Sequence, residues 1–443
     1  MPLRFVSRLF AITLLGFCLA APAHAGNGTV YDLEATVLKA LKDNPSIEGA
    51  RAGALGAEEG RKAARGAFGP SLSTTYSYTR YDHAQPTRDN PTSGVDLYTL
   101  KGTVTQPIFT GFNLLSTYQQ AELAKQSAEL SKDNTELGLI LTVQENFINL
   151  LVARENVRSA EATVERLASQ LQVTQAYYDV GLHPRIDVLR AEVQLSDAEN
   201  SLLQAQNSLE TQQARLNTLL NLPLNAQIEY VGNLVAMPVP MDLESSIQKA
   251  SVARPDLLIA RTAVDIAMKD LKITESDFYP QIVGSFNMNR FGDHPDVDGT
   301  SYSRTEFSSW SAQAALSWDL FSWGTTYYAA QQDKQTIVQL KAAEANTWQE
   351  ALYEIKSRHL SISEAAKRIK VAQKTVASAQ EAYRMAVARY QAQVGTNNDV
   401  LDAQADLSSA EASLTKAQGD YMISIARLYN AVGEKNPALA SQL

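Results

Sequence analysis

Two halves of this chain carry the same punctuation. Asn44-Pro45 and Gly69-Pro70 recur as Arg254-Pro255 and Tyr279-Pro280, each displaced by 210 residues. Asp187-Val188-Leu189 recurs as Asp399-Val400-Leu401, and Ala214-Arg215-Leu216 as Ala426-Arg427-Leu428, each displaced by 212. A duplication of this size limits the fold more than any other feature, because both halves must build the same unit. Each half reads helix, strand, strand, long helix, turn, long helix. The first repeat spans 26–230 and the second 231–443.

The long helices follow from spacing. Val188, Ala191, Leu195, Ala198, Leu202, Ala205 and Leu209 recur at alternating steps of three and four, the 3.5-residue seam of a coiled coil. The second half repeats the seam as Val400, Ala403, Leu407, Ala410, Leu414, Ala417 and Tyr421. From Asn113 to Tyr178 there is no proline and only Gly138 among glycines, and Thr325 to Tyr390 has neither. At 1.5 Å per residue, each run is roughly 100 Å long if helical throughout. Helices are expected at about 111–180, 185–221, 323–391 and 397–432. An ordinary helical bundle shares such a seam, but runs this long imply a projecting coiled coil.

Four segments switch to a period of two. Leu72, Thr74, Tyr76 and Tyr78 alternate with Ser71, Ser73, Thr75 and Ser77. Tyr98, Leu100, Val104 and Ile108 alternate with Thr99, Lys101, Thr103 and Thr105. Ile282, Phe286 and Met288 alternate with Gln281, Ser285, Asn287 and Asn289. Trp310, Ala312, Ala314, Leu316, Trp318 and Leu320 alternate with Ser309, Ser311, Gln313, Ser317 and Asp319. Strands are expected at about 70–82, 95–109, 280–291 and 305–321, near the length of a tilted membrane strand. Aromatic residues gather towards their ends, as in interfacial girdles. Residues 82–95 and 292–305 have the polar, Pro- and Gly-rich composition of exposed loops. Soluble hairpins with one wet face give the same alternation.

The N-terminus favours the membrane. Arg4 and Arg8, the apolar run Leu9 to Ala21, and Ala23-His24-Ala25 read as a cleaved leader over 1–25, with Gly26 as the new terminus. An uncleaved anchor has too short an apolar core, and Phe17 is a poor neighbour for Cys18 as a lipid acceptor. Removing the leader removes Cys18, the one cysteine, and takes the formal charge from −9 to about −11. That balance argues against nucleic-acid binding. No later stretch has eighteen consecutive apolar residues, so a membrane crossing must use strands. Four strands leave open edges, whose N–H and C=O groups lipid cannot satisfy. Other copies of the chain must therefore complete the wall.

This arrangement resembles the TolC family of outer-membrane efflux and type I secretion channels over nearly the whole mature chain. The resemblance rests on the duplicated plan, the paired prolines, Tyr178-Asp179-Val180-Gly181-Leu182 with Asp187-Val188, and Val394-Gly395-Thr396 with Asp399-Val400-Leu401-Asp402-Ala403-Gln404. It implies a mainly α chain with a small transmembrane β part. Four strands per chain form a shared twelve-stranded barrel in a homotrimer, above a tunnel of long helices. It implies an outer-membrane exit duct with a large periplasmic portion, joined to a periplasmic adaptor and an ABC or proton-driven inner-membrane transporter. The hairpin tips, Val180, Gly181 and Leu182 in one half and Gln393, Val394 and Gly395 in the other, are implied adaptor contacts. At the 212 offset Gly181 corresponds to Gln393, so the second tip departs from the motif and its glycine is expected to have moved to Gly395. Asp187, Tyr390, Asp399 and Asp402 match the network that closes the periplasmic aperture, and Gly395 stands where a basic partner belongs. N-capping is the alternative role for Asp187 and Asp399.

Other chemistry finds no footing. His83, His183, His294 and His359 are scattered, and Asp293, His294, Asp296 and Asp298 read as a solvated acidic loop. No nucleophile, phosphate or dinucleotide motif sits at a strand–helix junction, so no enzyme activity, cofactor or metal is expected. The competing readings are a periplasmic coiled-coil structural or adaptor protein without a pore, and a secreted pore-forming toxin. The helical portion disfavours the toxin.

Overall fold

The structure is a computed structural model. It describes residues 30–83, 95–226, 228–235, 238–239, 241–298 and 308–439. The expected leader 1–25, most of the loop at 82–95 and the later part of the loop at 292–305 lie outside the described residues.

Among those residues the element order repeats. The first half runs β1 (Val30–Tyr31), α1 (Leu33–Asp43), α2 (Pro45–Gly66), β2 (Ser71–Arg80), β3 (Asp96–Thr110), α3 (Asn113–Asp179), α4 (Arg185–Leu219) and β4 (Glu229–Tyr230). The second runs α5 (Leu243–Ala253), α6 (Pro255–Glu275), β5 (Gln281–Gly292), β6 (Ser308–Ser317), α7 (Thr325–Gln391) and α8 (Asn397–Val432). The single leading helix expected in each half is two, split at the X-Pro step. The residue before proline is pushed out of the α region, and Asn44 and Arg254 are both extended. Their side chains reach across the fold. Asn44 Nδ2 donates to the Leu219 carbonyl at 2.9 Å and Arg254 Nη1 to the Ala431 carbonyl at 2.9 Å. Each thus satisfies an end carbonyl of a returning long helix.

Helices α3 and α7 each run 67 residues without a break, and α4 and α8 are about half as long, at 35 and 36. Helix α3 therefore packs against α4 along one half and against α2 and α6 along the other, whereas α7 packs against α8 and α6. The densest packing is a waist where the short helices cross the long ones. Val143, Phe147, Leu150, Leu216 and Leu220 form one cluster, and Ile362, Ala417, Ile425, Leu428 and Val432 another. Gly419 lets α8 approach α3, since a Cβ there would collide with Val152. By length and composition α3 could cross a membrane, but 56% of its most apolar eighteen-residue stretch is buried inside the chain. Its apolar residues Leu137 to Leu151 are waist core.

The four longer strands form one antiparallel sheet in the order β2-β3-β5-β6, so the halves join through β3 and β5. The register aligns alternate residues of the four strands in common rows, one set on each face. Tyr76, Leu100, Arg290 and Ser308 share one row, and Leu72, Val104, Phe286 and Ala312 another. The opposite face carries Ser73, Thr103, Asn287 and Ser311 in a row. A bulge between Pro107 and Phe109 sets Phe109, rather than Ile108, opposite Ile282. Proline has no N–H for the ladder and belongs at such irregularities. Trp318 and Leu320, expected within the fourth strand, lie beyond its end. Aromatic contacts mark both ends of the sheet: Tyr78 with Tyr98 at 4.8 Å, and Phe109 with Phe112 at 5.4 Å. Every residue of the outer strands β2 and β6 is exposed, and neither outer edge has a strand partner among the described residues.

At each strand-to-helix corner two successive residues are left-handed, Gly111-Phe112 and Trp323-Gly324. At Gly111 a Cβ would strike the Ser276 carbonyl and the Tyr279 side chain, so the corner needs glycine.

Candidate functional site

At the far end of the long helices, two turns lie side by side. Helix α3 ends in a pair of bonds, Leu182 N–H to the Tyr177 carbonyl at 2.9 Å and Gly181 N–H to the Tyr178 carbonyl at 2.8 Å. Helix α7 ends the same way, Val394 N–H to Arg389 at 2.9 Å and Gln393 N–H to Tyr390 at 3.0 Å. Both are Schellman motifs, which require a left-handed residue after the cap. Gly181 has φ +81° and Gln393 φ +62°. The special conformation therefore stays at position 393, held by glutamine with some backbone strain, and has not moved to Gly395. Gly395 instead allows close packing, since a Cβ there would crowd Arg389. The tips present Val180, Leu182 and Val394 to solvent, at 70%, 53% and 66% exposure.

The following helices begin differently. Thr396 caps α8 in a capping box. Its hydroxyl accepts from Asp399 N–H at 3.2 Å, and its N–H donates to the Asp399 carboxylate at 2.9 Å. The Thr396 backbone N–H, with its hydroxyl, holds the exposed Asp399 carboxyl below the usual range. Helix α4 has Pro184 at its cap and no side-chain bond there, so Asp187 is not a cap. Its carboxylate lies 3.3 Å from His183 Nδ1 instead. His183 stacks on Tyr177 at 5.5 Å and leans on Tyr390 at 5.2 Å.

Tyr390 is fully buried. Its hydroxyl donates to Thr174 Oγ1 at 3.2 Å, and burial pushes its phenol up. Around it, Gln170 Nε2 donates to Asn397 Oδ1 at 2.8 Å, and Asn397 Nδ2 to the Asp187 carbonyl at 3.1 Å. This buried set ties the first hairpin to the second. Sequence reasoning missed Gln170, Thr174, His183 and Asn397. The only available signal was polar residues four apart, Gln170 and Thr174, within an otherwise ordinary helix. Asp402 is exposed one turn into α8, beside a surface groove lined by Ile186, Leu189, Arg190 and Asn398. Arg190 Nη1 donates to Asn398 Oδ1 at 2.9 Å, and Arg389 lies close enough to lower Asp399 further. These two arginines supply basic charge around the position where Gly395 has none.

The chain matches the profile of the outer membrane efflux protein family over residues 37–222 and 246–434. It is 23% identical over 400 residues to outer membrane protein TolC of Vibrio cholerae, covering 89% of each chain. It is 25% identical over 401 residues to alkaline protease secretion protein AprF of Pseudomonas aeruginosa, covering 88% of this chain and 82% of that one. Among solved structures, the outer membrane protein VceC of Vibrio cholerae aligns with a TM-score of 0.78 at 21% identity, covering 91% of this chain and 96% of that one.

Proposed function

Because this chain belongs to the outer membrane efflux protein family, we infer that it is the outer-membrane exit duct of a tripartite efflux or type I secretion system, working as a homotrimer with an adaptor and an inner-membrane transporter. The family is one of transport channels rather than enzymes. Its members among the relatives are outer-membrane proteins, and this chain is one too.

The observation that carries the finer reading is the sheet. It has one apolar face, one polar face and two open edges. In lipid each unpaired edge group costs several kcal/mol, roughly as for any buried orphan polar group. Three copies give twelve strands, enough to close the wall around a lumen. The long helices continue that wall into the periplasm, and their tips are the end a periplasmic partner reaches first. Val180, Gly181, Leu182, Gln393, Val394 and Gly395 form the adaptor contact. Its exposed apolar side chains, with depleted charge, suit an interface centre.

At the aperture, Asp402 faces the lumen and Asp399 serves both as the capping-box partner of Thr396 and as an acid. Asp187 and Tyr390 hold the two hairpins together through His183 and Thr174. Three Asp402 carboxylates around one axis attract multivalent cations. Planar-bilayer conductance with a trivalent cation on the periplasmic side tests this. Asp402→Ala should relieve block about tenfold, the effect of losing roughly 1.4 kcal/mol of attraction. Asp399→Ala should relieve it less. Unchanged block in both removes them from the aperture.

A further inference from the structure

The sheet's polar face holds one charge. Along the described strands it reads mostly Ser, Thr, Asn and Gln, interrupted by Leu97, Pro107, Val283, Phe291 and Ala315, and Lys101 alone is ionised. Lys101 lies between Thr75 and Asn289, in a row that ends at Ser309. The face assignment is supported one row away, where Thr103 Oγ1 donates to Asn287 Oδ1 at 3.0 Å across the strands. Lys101 is exposed, and no ion pair holds it among the described residues. The other strand charges are on the opposite face at the outer end: Arg80 with Asp96 at 3.6 Å, and Arg290. Asp319 lies two residues beyond the end of β6, at the helical end, ten residues on from Ser309.

The sheet's apolar face belongs to lipid, so Lys101 points into the lumen. A lysine with no ion-pair partner among the described residues is an uncompensated cation in a confined aqueous space, where fields are stronger than at an open surface. Twelve strands about 4.8 Å apart and tilted about 40° give a wall of about 12 Å backbone radius. The flexible four-carbon lysine stem reaches well inward from that wall. Three such ammonium groups leave no path along the axis much beyond one screening length, about 8 Å at 0.15 M.

We propose that Lys101 and its two symmetry copies form a cationic collar inside the barrel that concentrates small multivalent anions and the anionic groups of cargo while repelling cations. The collar rests on the trimeric-channel reading above. It sits at the opposite end of the duct from the Asp402 ring and has the opposite sign, so it sets selectivity independently of that ring.

The test compares wild type, Lys101→Gln and Lys101→Glu trimers in planar bilayers. At about 10 mM salt the cation-to-anion permeability ratio should rise about twofold or more in Lys101→Gln, and further in Lys101→Glu. At about 1 M the three should agree, since the screening length falls from about 30 Å to about 3 Å. A second arm uses Cys18→Ala chains carrying Lys101→Cys or Leu100→Cys, treated with a membrane-impermeant thiol reagent on intact cells. Lys101→Cys should label and Leu100→Cys should not. Conducting trimers with one shared selectivity at low salt, or the reverse labelling pattern, overturn the collar alone. A chain that gives no conducting oligomer overturns the channel reading and the collar with it.

Discussion

The waist and the sheet both gather apolar side chains, yet the chain treats them differently. At the waist, Leu216, Leu220, Ile425 and Leu428 are at most 1% exposed. On the sheet, Leu72 is 79% exposed, Trp310 72% and Leu316 64%. The chain finishes the waist with its own short helices. It leaves the sheet unfinished on one face and at both edges. The difference separates what folding of one copy stabilises from what lipid and further copies must supply.

Mutations at the two regions should therefore behave differently. Leu428→Ala should cost about 2–5 kcal/mol by emptying a closed core, read as a lower denaturant midpoint both in detergent and in bilayers. A cost that appeared only in bilayers would blur the distinction. Leu72→Arg should cost about 2–4 kcal/mol on refolding into liposomes, because the charge faces lipid. Its neighbour Ser73→Arg, on the polar face, should insert nearly normally. Equal losses would mean that the faces are misassigned. Gly419→Ala should cost about 1–3 kcal/mol by overpacking α8 against α3, seen in thermal unfolding of the helical signal.

The tips sharpen the contrast, since there neither core nor lipid sets stability. A Cβ at Gly181 meets nothing within 4 Å. Gly181→Ala should still cost about 1 kcal/mol through left-handed strain alone, whereas Gln393→Gly should gain up to about 1 kcal/mol. Hydrogen exchange at each tip measures both, and effects of like sign would contradict the shared geometry.

The smallest effect is a pH response. Asp399 has a lowered folded pKa, so its capping contribution is complete above the unfolded value, about 3.9. It is lost as pH falls below that through the folded value. Exchange in the first turn of α8 should quicken only in that acid range, and Asp399→Ala should abolish the pH step.

Much of this was legible because two periods, 2 and 3.5, write themselves directly into residue order. Each strand boundary falls within four residues of its expected place, and the long helices within two or three. What stayed hidden depends on partners far along the chain. Nothing near Asn44 signals that its amide reaches Leu219, nor near Arg254 that its guanidinium reaches Ala431. Thr174 is 216 residues from Tyr390. The left-handed turn at Gln393 was invisible because glutamine carries no turn signature, while the helix end around it dictates the conformation. The tip residues were found through resemblance, and their hydrogen-bond partners needed the fold.

The protein mass of the folded particle extracted from the outer membrane bears most directly on the unfinished sheet. Light scattering with the detergent contribution subtracted should give three copies of the chain. A single-copy particle that keeps its strand signal would contradict the shared barrel, and with it the duct.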